Sequence, residues 1–306
     1  MKQYLDIVQN VLDNGKWKEN RTGIRTLTLA NQFFSHNMED GFPILTTKKM
    51  SLQNIAVELE FFIKGRTDKA WLQKRGCHIW DNWCNLISLN HQMNYADEID
   101  TDIDRKKAAK EIDDLGPIYG YQWRSFNKTY TQGNRYGTQD EDDGDWSSYE
   151  DQLANIVLTL KSNPNDRRMV CSAWNPNQIR YMALPPCHLL WVVTHIDGYL
   201  NLHWTQRSCD LGLGVPYNIA SYALLLLLLC KEGKCRPGNL SGTLCDCHIY
   251  ENHIQPLKQQ ITKSCFKLPQ VEILSEGWTG LFNWTYDKIL LSNYKWHKKL
   301  PMEIAV

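Results

Sequence analysis

The sequence predicts an α+β fold, a sheet covered on one face by helices, and three observations predict it. Strand-like runs gather between residues 167 and 208, helix-period segments bracket them, and the interruptions are polar stretches with no internal repeat. With 306 residues and 42% hydrophobic side chains, the chain can bury a core large enough for one big domain or two.

The opening "MKQYLDIVQNVLDNG" places Tyr4, Val8 and Val11, with Leu5 and Leu12 beside them, on one side of a helix that Gly15 closes. It lacks the apolar core of a secretory signal, which predicts a cytoplasmic protein. "NIAVELEFFIKG" reads as the next helix. Two polar stretches follow, at 88–114 and 127–151, and both read as solvated insertions, the first in part helical, rather than as domain linkers. "RRMVCSAWN" (167–175) is strand-like, and "CHLLWVVTHIDGYLNLHWTQRS" (187–208) is two strands around an Asp197-Gly198 hairpin signal. "PYNIASYALLLLLLC" predicts a helix that begins after Pro216. Its longest apolar run, 222–230, falls short of the roughly 20 residues that a membrane span requires, so it reads as buried.

Lysine plus arginine and aspartate plus glutamate number 34 each, so no global field draws the chain to nucleic acid or to an anionic membrane. Anionic ligands need a local basic cluster. Ten cysteines without a signal segment predict reduced thiols rather than a disulfide framework. "LCDCHIYENH" groups Cys245, Cys247, His248 and His253, but no second cysteine pair follows at zinc-site spacing, so no metal is expected.

Five features carry candidate chemistry. In "LPPCHLLW" Cys187 follows a rigid two-proline turn, and the pattern leaves filler, metal ligand and nucleophile open. Arg21, Arg167, Arg168 and Arg207, with Ser208, have the guanidinium forks and hydroxyl that hold a phosphate, although any one of them taken alone reads first as ordinary surface charge. Glu58 shares a helix face with Ile55 and Phe62, where its pKa would rise, whereas Glu60 points elsewhere and can pair with Lys64. That setting suits a proton carrier or a structural carboxyl. Trp80 and Trp83 in "HIWDNW" suit stacking on a heterocycle or core packing. Gly212-Leu213-Gly214 is a weak dinucleotide-loop signal without a third glycine.

Taken together, the blocks "RTG" (21–23), "FPILTTKK" (42–49), "ELEFFIKG" (58–65), "IWDNW" (79–83), "LGPIYGYQWR" (115–124), "NDRRMVCSAWNP" (165–176), "MALPPCH" (182–188), "QRSCDLGLGVPYNIASYALL" (206–225), "CHIY" (247–250) and the terminal "IAV" resemble the thymidylate synthase family. The likeness spans nearly the whole chain apart from the two polar stretches. It implies a single domain over 1–306, a large mixed sheet, and a free sheet face that forms a homodimer interface.

It further implies reductive methylation of dUMP to dTMP, with 5,10-methylenetetrahydrofolate supplying carbon and hydride and with no metal. On that resemblance Cys187 adds to uracil C6, Arg207 favours its thiolate, and Glu58 with Tyr119 moves protons. Arg21, Gln206, Arg207, Ser208, Asp210, Asn218, His248 and Tyr250 hold the nucleotide, joined by Arg167 and Arg168 of the partner subunit. Asn218 matches the N3 and O4 edge of uracil. Lys48, Trp80, Trp83, Asp210 and Val306 serve the folate, with Lys48 at its glutamate tail and Val306 sealing the site. His188 is ranked low as a base for Cys187, because adjacent strand residues face opposite sides.

Two departures stand out: Gly212 replaces a larger residue of many members, and "TLCDCH" a more glycine-rich approach to the histidine. A pyrimidine hydroxymethylase of the same fold is the alternative; Asn218 speaks for uracil and Trp80 against water reaching the intermediate. An RNA-binding regulator would need basic surface that this neutral chain lacks.

Overall fold

A computed structural model describes residues 1–85, 105–130 and 149–304 of the chain. The first helix is α1 (Lys2–Asn14), with Tyr4, Ile7, Val8 and Val11 buried. Gly15 ends it in an extended conformation (φ −62°), not in the left-handed cap usual for glycine. Glycine is needed there for space, since a Cβ would lie 2.8 Å from the Leu27 side chain.

The strands β1 (Lys16–Lys18) and β2 (Thr26–Asn37) come next, followed by α2 (Leu52–Ile63) and α3 (Lys69–Gln73). Three further helices, α4 (Arg105–Glu111), α5 (Tyr119–Ser125) and α6 (Gln152–Ser162), precede β3 (Val170–Ser172), β4 (His188–Ile196) and β5 (Tyr199–Asp210). The chain continues through α7 (Gly214–Gly233), β6 (Arg236–Tyr250), α8 (Ile254–Ile261), β7 (Gln270–Ile273) and β8 (Ile289–Ser292). Six strands form one mixed sheet in the order β1-β2-β6-β5-β4-β3, and β7 pairs with β8 apart from it. The fold is α+β, as the sequence predicts.

Within the large sheet β5 and β6 are the parallel pair. Parallel neighbours need a crossover, and the apolar helix α7 supplies it. Both strands therefore end at the same edge, where Asp210 of β5 lies opposite His248 of β6. Helix α7 starts at Gly214, three residues earlier than expected, because Pro216 sits in the first turn, where its missing N–H has no helical partner to lose. By length and composition α7 could cross a membrane, yet 67% of its most apolar window is buried inside the protein.

The hairpin between β4 and β5 turns on Asp197 (φ 50°) and Gly198 (φ 79°), both left-handed as an Asp-Gly turn requires. The strand expected at 167–175 is only Val170–Ser172, an edge strand entered from a turn in which the Arg168 N–H donates to Asp166 Oδ1 at 2.8 Å.

One face of the sheet carries the core. Phe34, Gly242, Trp204 and Trp191 are aligned neighbours across β2, β6, β5 and β4, and the three aromatic side chains are fully buried. Gly242 makes that row possible, because a Cβ there would lie 2.5 Å from the Trp204 ring. The adjacent row, Phe33, Thr243, Thr205 and Leu190, faces the other way and is partly or wholly exposed.

The two polar insertions lie largely outside the described residues, but their ends are pinned. The first closes through Asp68 and Asp114, and α4 shows the expected helical part. The second closes through paired N–H to carbonyl bonds between Phe126 and Glu150, both 2.9 Å, and its last residue, Asp151, caps α6 by accepting from the Ala154 N–H at 2.9 Å.

Candidate active site

Arg207, Ser208 and Asp210 lie toward the carboxyl end of β5, His248 and Tyr250 at that of β6, and Glu58 on helix α2. Cys187 sits immediately before β4, where the register with β5 slips by a residue between His188 and Leu190. Such a bulge re-aims side chains, and here three clamps fix the turn. The Arg207 N–H donates to the Cys187 carbonyl at 2.8 Å, and the Cys187 N–H donates to Tyr119 Oη at 2.6 Å. The Arg207 guanidinium donates to the Pro186 and Pro185 carbonyls at 2.9 and 2.8 Å. Arg207 thus orients the "PPC" turn as well as bringing charge. Burial pushes the Cys187 thiol up, while Arg207, Tyr119 and Arg21 pull it down. Burial prevails, so the low thiol pKa expected beside Arg207 is not present in this chain by itself.

His188 does not face the thiol. It is buried, Nδ1 lies 2.7 Å from the Tyr222 hydroxyl, and its ring stacks on Tyr119 with centroids 4.1 Å apart. Burial lowers its pKa to about 3, so it is neutral near pH 7, and its low ranking as a base stands.

Helix α2 begins at Ser51, whose hydroxyl accepts from the Asn54 N–H at 3.2 Å, and nearly all of its circumference is buried. Glu58 accepts from Trp80 Nε1 at 2.8 Å. Burial raises its pKa to about 7, with Trp80 opposing the rise. Glu60 does pair with Lys64 at 2.5 Å, but it is 1% exposed and also accepts from the Tyr286 N–H at 2.8 Å, so its side of the helix is buried too. Trp80 packs edge-on against both Trp83 and Tyr119, with centroids 6.0 and 6.1 Å away, so the aromatic segment forms a wall of this site.

A chain of amides defines the orientation of Asn218 in α7. Trp204 Nε1, which can only donate, gives to Gln206 Oε1 at 3.1 Å. Gln206 Nε2 then donates to Asn218 Oδ1 at 3.0 Å and to the Ser208 carbonyl at 3.0 Å. Asn218 therefore keeps its NH2 and one oxygen lone pair for a ligand edge that offers both an acceptor and a donor. Ser208 and Asp210 continue along β5.

At the end of β5, Asp210 accepts from the N–H groups of Gly212, Leu213 and Gly214 at 2.8, 3.2 and 3.3 Å, at the start of α7. Burial pushes its pKa up, but His253, His248 and the Gly212 N–H outweigh that and hold it below the usual range. The Gly212 loop is thus a carboxylate-capped helix start and not a dinucleotide loop. Lys48 is turned inward, 5% exposed, and donates to the Gly212 carbonyl at 2.5 Å; burial lowers its pKa to about 8. To meet a glutamate tail it would have to leave that bond.

His248 directs Nδ1 at Asp246 Oδ1, 3.0 Å away, and Tyr250 lies edge-on to its ring at 5.3 Å. Asp246 also binds Lys18 Nζ at 2.6 Å, and His248 first, then Lys18, lowers its pKa to about 2. Sequence reading missed Asp246 as the orienter of His248, although an Asp two residues before a His on a strand is its signal. Arg21 is exposed on the loop between β1 and β2, and its charge reaches Cys187 and Tyr250. Arg167 and Arg168 are exposed beside β3, and Arg168 folds back on Asp166 at 2.6 Å. Val306 lies outside the described residues. None of the ten cysteines is in a disulfide, and no group of three or more potential metal ligands occurs among the described residues.

Tyr119 thus connects the backbone of Cys187 to Trp80, and Trp80 connects to Glu58 and Trp83. The thymidylate synthase family profile matches residues 2–306. The chain is 38% identical to the thymidylate synthase of Mycoplasma genitalium and 36% identical to that of Mycoplasma pneumoniae, in each case over 100% of both chains. It is 37% identical to the bifunctional dihydrofolate reductase-thymidylate synthase of Paramecium tetraurelia over 99% of this chain and 61% of that protein.

Proposed function

The chain belongs to the thymidylate synthase family, and we propose that Cys187 is the nucleophile of its reaction, the reductive methylation of dUMP to dTMP with 5,10-methylenetetrahydrofolate. The observation that carries this assignment is the clamped turn: Arg207 and Tyr119 hold the backbone of Cys187 at the open end of the parallel strand pair. The full-length relatives favour methylation over hydroxymethylation.

Uracil C5 is unreactive until a nucleophile adds to C6; the resulting enolate then attacks an electrophilic carbon at C5. Cys187 Sγ supplies that addition and departs when the double bond reforms. Glu58, close to half-protonated at neutral pH, gives a proton to O4 as the enolate forms and takes it back, and with Tyr119 and ordered water it carries away the proton that C5 must lose once the new carbon–carbon bond has formed. Asn218 sets one lone pair and one N–H against N3–H and O4, in the orientation that Gln206 imposes. Gln206 therefore acts on the base through Asn218. His248, with Nδ1 engaged by Asp246, presents Nε2 with Tyr250 to the sugar hydroxyl. The folate supplies the carbon and the hydride. Trp80, Trp83, Asp210 and Lys48 hold it, a carboxylate kept ionised being suited to the N–H donors of a pterin. Val306 covers it.

Arg21, Arg207 and Ser208 bind the phosphate in this reading, together with Arg167 and Arg168 of a second copy of the chain. A homodimer is supported by the exposed sheet face around Phe33, which is 62% exposed, and by the two outward arginines. The partner's cations would add to the positive charge that Arg207 and Arg21 already bring to Cys187. We read 1–306 as a single domain and place it in the cytoplasm, where its free thiols stay reduced.

The test is to incubate the protein with dUMP and methylenetetrahydrofolate and identify the product by mass. Wild type should give dTMP, and Cys187→Ser should give none while still binding dUMP. A Ser variant with near-normal turnover would remove the nucleophile. For the shared site, Arg167→Ala subunits mixed with Cys187→Ser subunits should recover activity. Verified subunit exchange without recovery would place the arginine in its own chain's site or in none.

A further inference from the structure

His253 is a fully buried histidine that the reaction derived above does not use. Its Nε2 lies 2.6 Å from the Glu303 carbonyl oxygen. A carbonyl only accepts, so Nε2 carries a hydrogen. Nδ1, by contrast, has no hydrogen-bond partner among the described residues; it stands 3.8 Å from Asp210 Oδ1, too long for a bond. A buried polar atom left in that state is uncommon and calls for a reason.

Gly212 sits against the same atom. A Cβ at 212 would lie 2.4 Å from His253 Nδ1 and 3.2 Å from Asp210 Oδ1, so only glycine leaves room for the imidazole beside the carboxylate. Gly212 also donates its N–H to Asp210 and accepts from Lys48, which ties the position of the ring to both candidate folate ligands. On the far side the ring holds the terminal segment, where Leu300 is buried and Met302 packs on the core. Tyr250 closes the remaining side, edge-on at 5.6 Å.

We propose that His253 is a positioning residue for the folate carboxylate Asp210, a buried strut that ties the terminal segment at Glu303 to that carboxylate through the space Gly212 leaves. The inference rests on the reading of Asp210 as a folate ligand. Because Nε2 carries the hydrogen given to Glu303, Nδ1 can bond the Asp210 carboxylate only with a second hydrogen on the ring; without it the ring holds the carboxylate by packing in the space that Gly212 leaves. Because one rigid ring makes both contacts, seating the folate on Asp210 and ordering residues 300–304 are coupled.

Three quantities test this in the full-length chain: the dUMP Kd without folate, the KM for methylenetetrahydrofolate, and amide hydrogen exchange at residues 300–304. His253→Ala and Gly212→Ala, made separately, should each raise that KM by about tenfold and speed terminal exchange, with the dUMP Kd within about twofold of wild type. The two variants disturb the strut from opposite sides, by removal and by crowding, and intact dUMP binding shows that each has folded. An unchanged folate KM in both, or a parallel loss of dUMP binding, overturns the proposal. Failure of the underlying reading shows separately, because Asp210→Asn would then leave the folate KM unchanged.

Discussion

Helix α2 carries two buried carboxylates two positions apart, and they are held in opposite ways. Glu60 meets the Lys64 ammonium and the Tyr286 N–H, so its charge is answered on the spot. Glu58 meets the neutral indole N–H of Trp80, and burial drives its pKa to about 7. Burial is common to both; the charge of the partner differs. A cation turns a buried carboxylate into a structural pin, whereas a neutral donor leaves it close to ionisation at physiological pH.

The largest expected effect follows from the Glu58 side. Glu58→Gln keeps the shape and removes the proton, so kcat should fall by about 10²–10⁴-fold, the usual contribution of a positioned acid–base group. Steady-state turnover with dUMP affinity measured alongside decides it; a loss in affinity alone would make Glu58 a binding residue.

The same substitution should act on stability with a sign that depends on pH. The folded pKa of Glu58, about 7, lies above its ordinary value of 4.5, so the folded state binds the proton more tightly than the unfolded chain does. Stability present below the lower value is therefore lost as pH rises through the upper one, at about 1.4 kcal/mol per pH unit. Gln at 58 is neutral throughout, so Glu58→Gln should match wild type near pH 4.5 and exceed it near pH 8 by about 2–3 kcal/mol. Urea midpoints at the two pH values measure it, and a pH-independent difference would break the contrast between the two carboxylates.

Glu60→Gln should do the reverse, costing about 1–3 kcal/mol of stability with turnover per folded molecule close to wild type. The loss stays moderate because the Lys64 side chain is 29% exposed and can return to water. Thermal or urea unfolding reads the first part and kcat the second. The smallest effect belongs to Trp80→Phe, which removes the donor that holds Glu58 down. The pH–rate limb should move upward by less than about one unit. A limb that stays in place would detach it from Glu58.

The contrast also measures how far local pattern reaches. The spacing of Glu58 from Ile55 and Phe62 was enough to place it among apolar neighbours with a raised pKa. The same helical period turned Glu60 away from that face and paired it with Lys64, as observed, but it could not show that α2 is enclosed on that side too, by a segment more than 220 residues further on, at Tyr286. Cys187 shows a similar division. The family blocks picked it from ten thiols, but its clamping by Tyr119 and Arg207, and the net rise of its pKa, depend on residues 68 and 20 positions away.

By itself the sequence determined the α+β class, the opening helix, the Asp197-Gly198 hairpin, the buried run of α7 and the family, because periodicity, turn chemistry and motif wording are local properties. Tertiary structure alone decided which buried polar groups meet a charge and which do not. Lys48 turned inward to Gly212 and His253 caught between Asp210 and Glu303 have no local signature strong enough to predict them. The physical reason is that desolvation and pairing energies are set by whatever packs within a few ångströms, and in this fold those neighbours come from both ends of the chain: Tyr4 of the first helix bonds the Leu211 carbonyl at 2.6 Å, one residue from the same carboxylate.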